Sequence, residues 1–391
     1  MHFSRFSIGA AVVGLAMGIV GCGGTQTGDM SGYSTGSRSL DTSSVTPATS
    51  LSAATLGAKY LPLITGRAGF AAGFTVSSFS GQADRDLGKP PTNPDAEIAY
   101  NGKAVNAMLQ DIAGTGANVV RLRLFPKLSG LKLDASGLVT GLDDAFQKNL
   151  MDLIDRAEAN KLQLYLCIGA TWTDVPSAKD PIVDSNARNA YFKKAVTPLI
   201  SKLKGRAGVF AIDIDDEIES TIAGKDGNGT DKGVTWDQAR SYVKSTLDFV
   251  KSVDPQRLVT CSSGLHGADN VKAGKFSKLN LDFYDIHVFD DKGLLPVAKD
   301  LRLDRPIIVG NGGQSSKKPD ADVQAKADIS LLQNAQKQGY AGAILSEYGK
   351  NPDSALSLLE KDGKHRPVLS QFQSFVVSLD PTSGPFGLPG K

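Results

Sequence analysis

The chain has 391 residues, 43 basic and 41 acidic, for a net charge of +2, and no block of like charge follows its first residues. Nothing in that balance asks for nucleic acid. No G-x-G-x-x-G turn or P-loop occurs, and none of the four histidines stands in an H-E-x-x-H arrangement, so nucleotide-cofactor and zinc chemistry lack their usual signatures.

Met1 to Arg5 is a short basic start, Phe6 to Val20 is an apolar run, and a Gly-Cys pair closes it at Cys22. The run is shorter than the ~20 residues that span a bilayer. It resembles a bacterial lipoprotein signal, which implies cleavage before Cys22, a lipid on that cysteine, and a place in the cell envelope, at the outer membrane or cell surface. Residues 1–21 are thus expected to be the signal, and residues 22–55, rich in Gly, Ser and Thr, a flexible tether. The remaining ~335 residues, 56–391, suffice for one barrel, an architecture of about 200 to over 400 residues.

Along this stretch short β-branched runs alternate with amphipathic segments, the signature of βα units around a parallel sheet. The expected strands are Phe70–Val76, Val119–Phe125, Gln163–Ile168, Val209–Ile214, Arg257–Ser262, Phe283–Val288, Pro306–Val309 and Gly342–Leu345. Eight strands predict a (β/α)8 TIM barrel. Between them, Val105, Met108, Leu109 and Ile112, then Phe146, Leu150, Leu153, Ile154 and Ala157, form helical stripes that belong to the core. The connections after the fifth and sixth strands are short, so helices there should be brief. Thr235 is an expected N-cap before Trp236. Cys167 and Cys261 fall on the third and fifth strands, about two strand spacings apart, beyond disulfide reach, and are expected as buried thiols.

Several segments resemble, in order, the strands of clan A glycoside hydrolases, the barrels that include family-5-type cellulases and mannanases. Gly116 to Arg123 is similar to the second strand, with Arg121 at the family arginine. Val209 to Ile218, ending in Asp215, Asp216 and Glu217, is similar to the fourth. Val253 to Thr260 looks like the approach to the fifth, Asp282 to Phe289 like the sixth with its histidine at His287, Arg305 to Gln314 like the seventh, and Asp362 to Pro367 like the usual tail.

This resemblance implies a retaining hydrolase whose acid/base lies at Glu217 and whose nucleophilic glutamate ends the seventh strand. Two positions depart from it. Asp216 stands where the family carries asparagine, and Asn311 stands where it carries the nucleophile; no carboxylate occurs between Asp304 and Asp320. A carboxamide is a very poor nucleophile, so retaining hydrolysis is expected to be lost or impaired, leaving a carbohydrate-binding barrel. Glu347 is the alternative carboxylate. Facing inward, it would pair with Glu217 at the ~6.5–9.5 Å of an inverting enzyme; otherwise it is a polar residue bonded to Arg121 or a loop amide. Substrate-assisted hydrolysis and an envelope scaffold are the further readings.

Arg121, Trp172, Asp216, His266, His287 and Tyr348 are the expected sugar contacts, with Trp172 the flat face at the barrel mouth. No metal and no cofactor is expected. The acidic cluster around Asp213 and Asp215 cannot all converge, since alternate strand residues face opposite ways. The stretch from Lys225 to Gly233 has a calcium-loop flavour without the required glycine. The expected partners are a carbohydrate and, through lipidated Cys22, a membrane; the chain is expected to be a monomer.

Overall fold

The structure, a computed structural model, describes residues 70–222, 233–264, 266–314, 320–349 and 354–379. The signal, the tether and most of the Lys225–Gly233 loop lie outside the described residues. Among the described residues no helix is long and apolar enough to cross a membrane.

Nine parallel strands form one sheet: β1 (Ala71–Val76), β2 (Val119–Arg123), β5 (Gln163–Cys167), β6 (Val209–Asp213), β7 (Leu258–Thr260), β8 (Ser262–Ser263), β9 (Tyr284–Phe289), β10 (Ile307–Gly313) and β11 (Gly342–Tyr348). Their order is β7-β6-β5-β2-β1-β11-β10-β9-β8. The two ends of that order, β7 and β8, are one run of chain interrupted at Cys261. The ring therefore closes through this residue, and eight staves make the expected (β/α)8 barrel. Ser262 crosses the break, its N–H donating to Asp213 Oδ1 at 2.9 Å.

Why the ring holds follows from the two faces of each strand. Inward residues from all around the barrel, among them Val119, Tyr165, Phe210, Phe283, Ile308 and Ile344, form one buried cluster. Outward residues join a second, larger cluster with the helices. The stripes expected on Gly102–Gly114 and Asp144–Ala159 are the buried residues of those helices. Thr235 and Gln238 cap Trp236–Val253 reciprocally, which satisfies two N–H groups that a helix start leaves open. After the fifth and sixth staves come only a six-residue helix, Gly267–Lys272, and a 3-10 turn, Ala298–Leu301. Cys167 and Cys261 are buried and unpaired.

Two features differ from the expected strand pattern. A small antiparallel hairpin, β3 (Leu131–Leu133) with β4 (Val139–Leu142), follows the second stave; runs this short carry no readable period. The seventh and eighth staves also run further than expected, to Gly313 and Tyr348. The glycines at 310, 312 and 313 look like a turn in sequence, yet after a register shift at Gly310 the strand resumes, with Asn311 and Gly312 paired to His287 and Val288. Asn311 is therefore held in the sheet and not on a loop.

The end of β10 is anchored from behind by helix Ala321–Lys337. Asp328, fully buried, accepts the Gln314 N–H at 2.8 Å. Burial pushes its carboxyl up to about 7, against the lowering effect of that bond. A free aspartate titrates near 3.9, so the native state holds a proton that the unfolded chain has released, and stability falls as pH rises from about 4 to about 7. Asp328→Asn keeps the acceptor oxygen and removes the charge. The variant should melt higher than the native protein above pH 7, by at most about 4 kcal/mol, with the gap closing toward pH 4 in thermal scans across that range; an equal gap at both ends would refute this account.

Candidate functional site

Two residues beyond the apolar floor, on the same inward faces, the barrel turns polar. Past Val119 stands Arg121, past Phe283 stands Asp285, and past Ile344 stands Ser346. Arg121 is 1% exposed, and its guanidinium reaches Asp213 at 2.7 Å and Asp216 at 2.6 Å while lying over the Tyr165 ring. A charge so buried persists only when paired. The pairing works in both directions: burial alone would raise the Asp216 carboxyl, but Arg121 and Arg123 outweigh it and hold the group well below the usual carboxylate range. In Asp213 burial prevails over Arg121 and the carboxyl is raised.

Glu217 follows on a sharp bend. Its backbone is left-handed, φ 61° and ψ 63°, a conformation that costs a residue with a Cβ roughly 1–2 kcal/mol. The bend carries its carboxyl group to His287, whose Nδ1 shares a hydrogen bond with Oε1 at 2.8 Å; its N–H meets Ser262 Oγ at 3.2 Å. A side chain at Gly264 would put its Cβ 2.4 Å from Glu217 Cδ, so any larger residue there would displace the Glu217 carboxyl group. Burial disfavours charge on His287, yet the bond to Glu217 and the nearby Asp285 prevail and its basicity is raised. Glu217 itself is about one-third exposed, at 36% for the side chain, and open to a ligand.

Asn311 lies opposite His287 in the β9–β10 ladder. Its Oδ1 accepts from Thr75 Oγ1 at 2.8 Å and from Ser346 Oγ. With the oxygen taken by two hydroxyls, the amide nitrogen is left as the group it can offer a ligand. Just before it, a Cβ on Gly310 would fall 2.0 Å from the Asp285 carboxylate, which accepts the Gly310 N–H at 2.8 Å and the Tyr165 hydroxyl at 2.5 Å. The site thus brings together a half-open carboxyl group, an anchored amide and a buried ion-pair network.

Of the residues expected to meet a sugar, Asp216, Glu217, His287 and Asn311 converge, and Arg121 sits beneath them, occupied with its acids. Trp172 does not offer a flat face: it is 4% exposed and packs edge-on against Tyr191. Tyr348 is 1% exposed and turned outward, its ring against Phe74 and its hydroxyl on Asp111, because the register between β1 and β11 shifts after Leu345 and the break in alternation puts it with the outer cluster. His266 is exposed at the start of Gly267–Lys272, its side chain making no cap bond. Glu347, across a cis peptide from Ser346, has its backbone tied to Leu356 and Leu358. Cys167, Asp213 and Asp216 crowd closely enough to hold an ion, but Arg121 already neutralises the two acids.

Four contributors escaped the sequence reading: Thr75, Ser346, Asp285 and Arg123. Asp285 was legible, since it precedes His287 by two residues on a strand and must share its face. The hydroxyls that hold Asn311 were not, being ordinary residues at strand ends.

The sequence matches the cellulase family, glycosyl hydrolase family 5, over residues 81–366. A mannan endo-1,4-beta-mannosidase from Cryptopygus antarcticus is 22% identical over 301 residues, 66% of this chain and 77% of that one. The crystal structure of beta-1,4-D-mannanase from the same organism is 20% identical, covering 82% of this chain and 93% of its own, with a TM-score of 0.58. The GH5_18 structure from Streptomyces cattleya in complex with GlcNAc is 14% identical over 80% of each chain, with a TM-score of 0.62. At such identities the structures speak for the fold, whereas the family match runs from before the second stave to the last helix; the chain belongs to glycosyl hydrolase family 5.

Proposed function

We propose that this chain is a lipid-anchored family 5 barrel that binds a carbohydrate and has lost retaining hydrolysis. Asn311 carries the reading. Double displacement at an anomeric carbon needs one carboxyl group to protonate the leaving oxygen and a second, about 5–5.5 Å away, to attack. Glu217 supplies the first. In place of the second, the seventh stave offers a neutral amide whose oxygen is engaged by Thr75 and Ser346. Asp216 cannot stand in, because its charge is committed to Arg121 at 2.6 Å and Arg123 at 3.5 Å.

What remains is equipment for holding a sugar: the Glu217 carboxylate, the Asn311 amide nitrogen, and the partly exposed guanidinium of Arg123. The named mannanases among its relatives make a β-1,4-linked mannan-type chain the first ligand to try. The lipid signal preceding Cys22 would display the barrel at the cell envelope.

Native protein should release no sugar from aryl β-mannosides or from manno-, gluco- and galacto-oligosaccharides, and Asn311→Glu should gain measurable turnover. Robust native hydrolysis with inverted product, abolished by Glu347→Gln, would overturn the reading. For the anchor, Cys22→Ser should abolish incorporation of radiolabelled palmitate and move the protein from the membrane to the soluble fraction; unchanged labelling would exclude it.

A further inference from the structure

Aromatic side chains at the expected positions are withdrawn from the mouth, but one that was not expected there is open. Among the described residues the exposed large hydrophobic side chains are Val183, Phe289, Leu294, Val323 and Val377, and Phe289 is the aromatic one. It ends β9. Along that strand Asp285 faces the barrel interior to meet Tyr165, and His287 faces the same way to meet Glu217. Phe289 is the next residue of this alternation, about 7 Å beyond His287 toward the mouth. The residue is 38% exposed, on the stave next to the one that carries Asn311.

We propose that Phe289 is the stacking platform of the site, covering the apolar face of one pyranose ring whose polar edge meets the Asn311 amide and the Glu217 carboxylate. This rests on the carbohydrate-binding reading above and adds the residue that selects the ligand. A sugar ring has axial C–H bonds on its face and hydroxyls on its edge. A phenyl face beside a donor and an acceptor matches both, and a flat ring supplies contact area at low entropic cost. The order along β9, ring then histidine, places a sugar on Phe289 with its glycosidic oxygen toward the acid, since one sugar is comparable in length to the ~7 Å between the two positions.

The test titrates the full-length protein calorimetrically with β-1,4-linked manno-, gluco-, galacto- and N-acetylgluco-oligosaccharides, native beside Phe289→Ala, Phe289→Leu and Phe289→Tyr. For the tightest native ligand, Ala and Leu should each weaken binding about tenfold, Leu because it keeps apolar volume without a flat face. Tyr should bind as the native protein does, and melting temperatures should stay unchanged because the ring is not core. Native-like affinity in Ala or Leu would overturn the platform while leaving carbohydrate binding standing. A native protein that binds none of the panel would overturn both.

Discussion

Arg121 brings a full positive charge into the barrel at a level where water does not follow. The energetic demand it makes organises everything above it. A buried guanidinium needs acceptors in fixed places, and Asp213 and Asp216 supply them from the stave two positions around the ring, at 2.7 and 2.6 Å. Meeting that demand fixes the end of β6, from which the chain turns left-handed to deliver Glu217 to His287. Asp285, linked to Tyr165 and to the Gly310 N–H, carries the same layer to β10. Position in the site is thus inherited from an electrostatic requirement below it, and Arg121 acts on a ligand only through the residues it orders.

The layer also treats Asp216 and Asn311 differently. Asp216, though acidic, is absorbed: its charge completes the ion pair and never faces outward as a second reactive carboxylate. Asn311 is different in kind, because the hydroxyls of Thr75 and Ser346 treat its oxygen as they would a carboxylate oxygen, donating to it from both sides. The surroundings fit an acceptor, and the amide meets them without a charge. The same surroundings would accept either group, so the fold by itself does not fix the reaction.

The fold was legible because periodicity records burial. The stripes on Gly102–Gly114 and Asp144–Ala159, the eight β-branched runs, and the Thr235 cap each state a local preference that the tertiary structure keeps. The site was legible where chemistry is rare in the sequence: adjacent acids at 215–217, a histidine on a strand, an arginine after two valines. It was illegible where ordinary residues acquire meaning from a neighbouring stave. Thr75 and Ser346 are hundreds of residues apart in the chain and meet at one oxygen. Trp172 and Tyr348 misled for the opposite reason, since an aromatic at a strand end states affinity for apolar surroundings and does not say whether a ligand or the protein provides them.

Asparagine followed by glycine is the pairing most inclined, in a flexible chain, to cyclise and hydrolyse to an acid, because the glycine amide swings freely onto the side-chain carbonyl. At Asn311 that swing is blocked. Gly312 is paired on both sides, with Val288 and Leu345, and the Asn311 oxygen is engaged by two hydroxyls. The ladder that lifted this residue out of a loop thus also guards it against ageing. The neutral group at the heart of the site is held against that conversion.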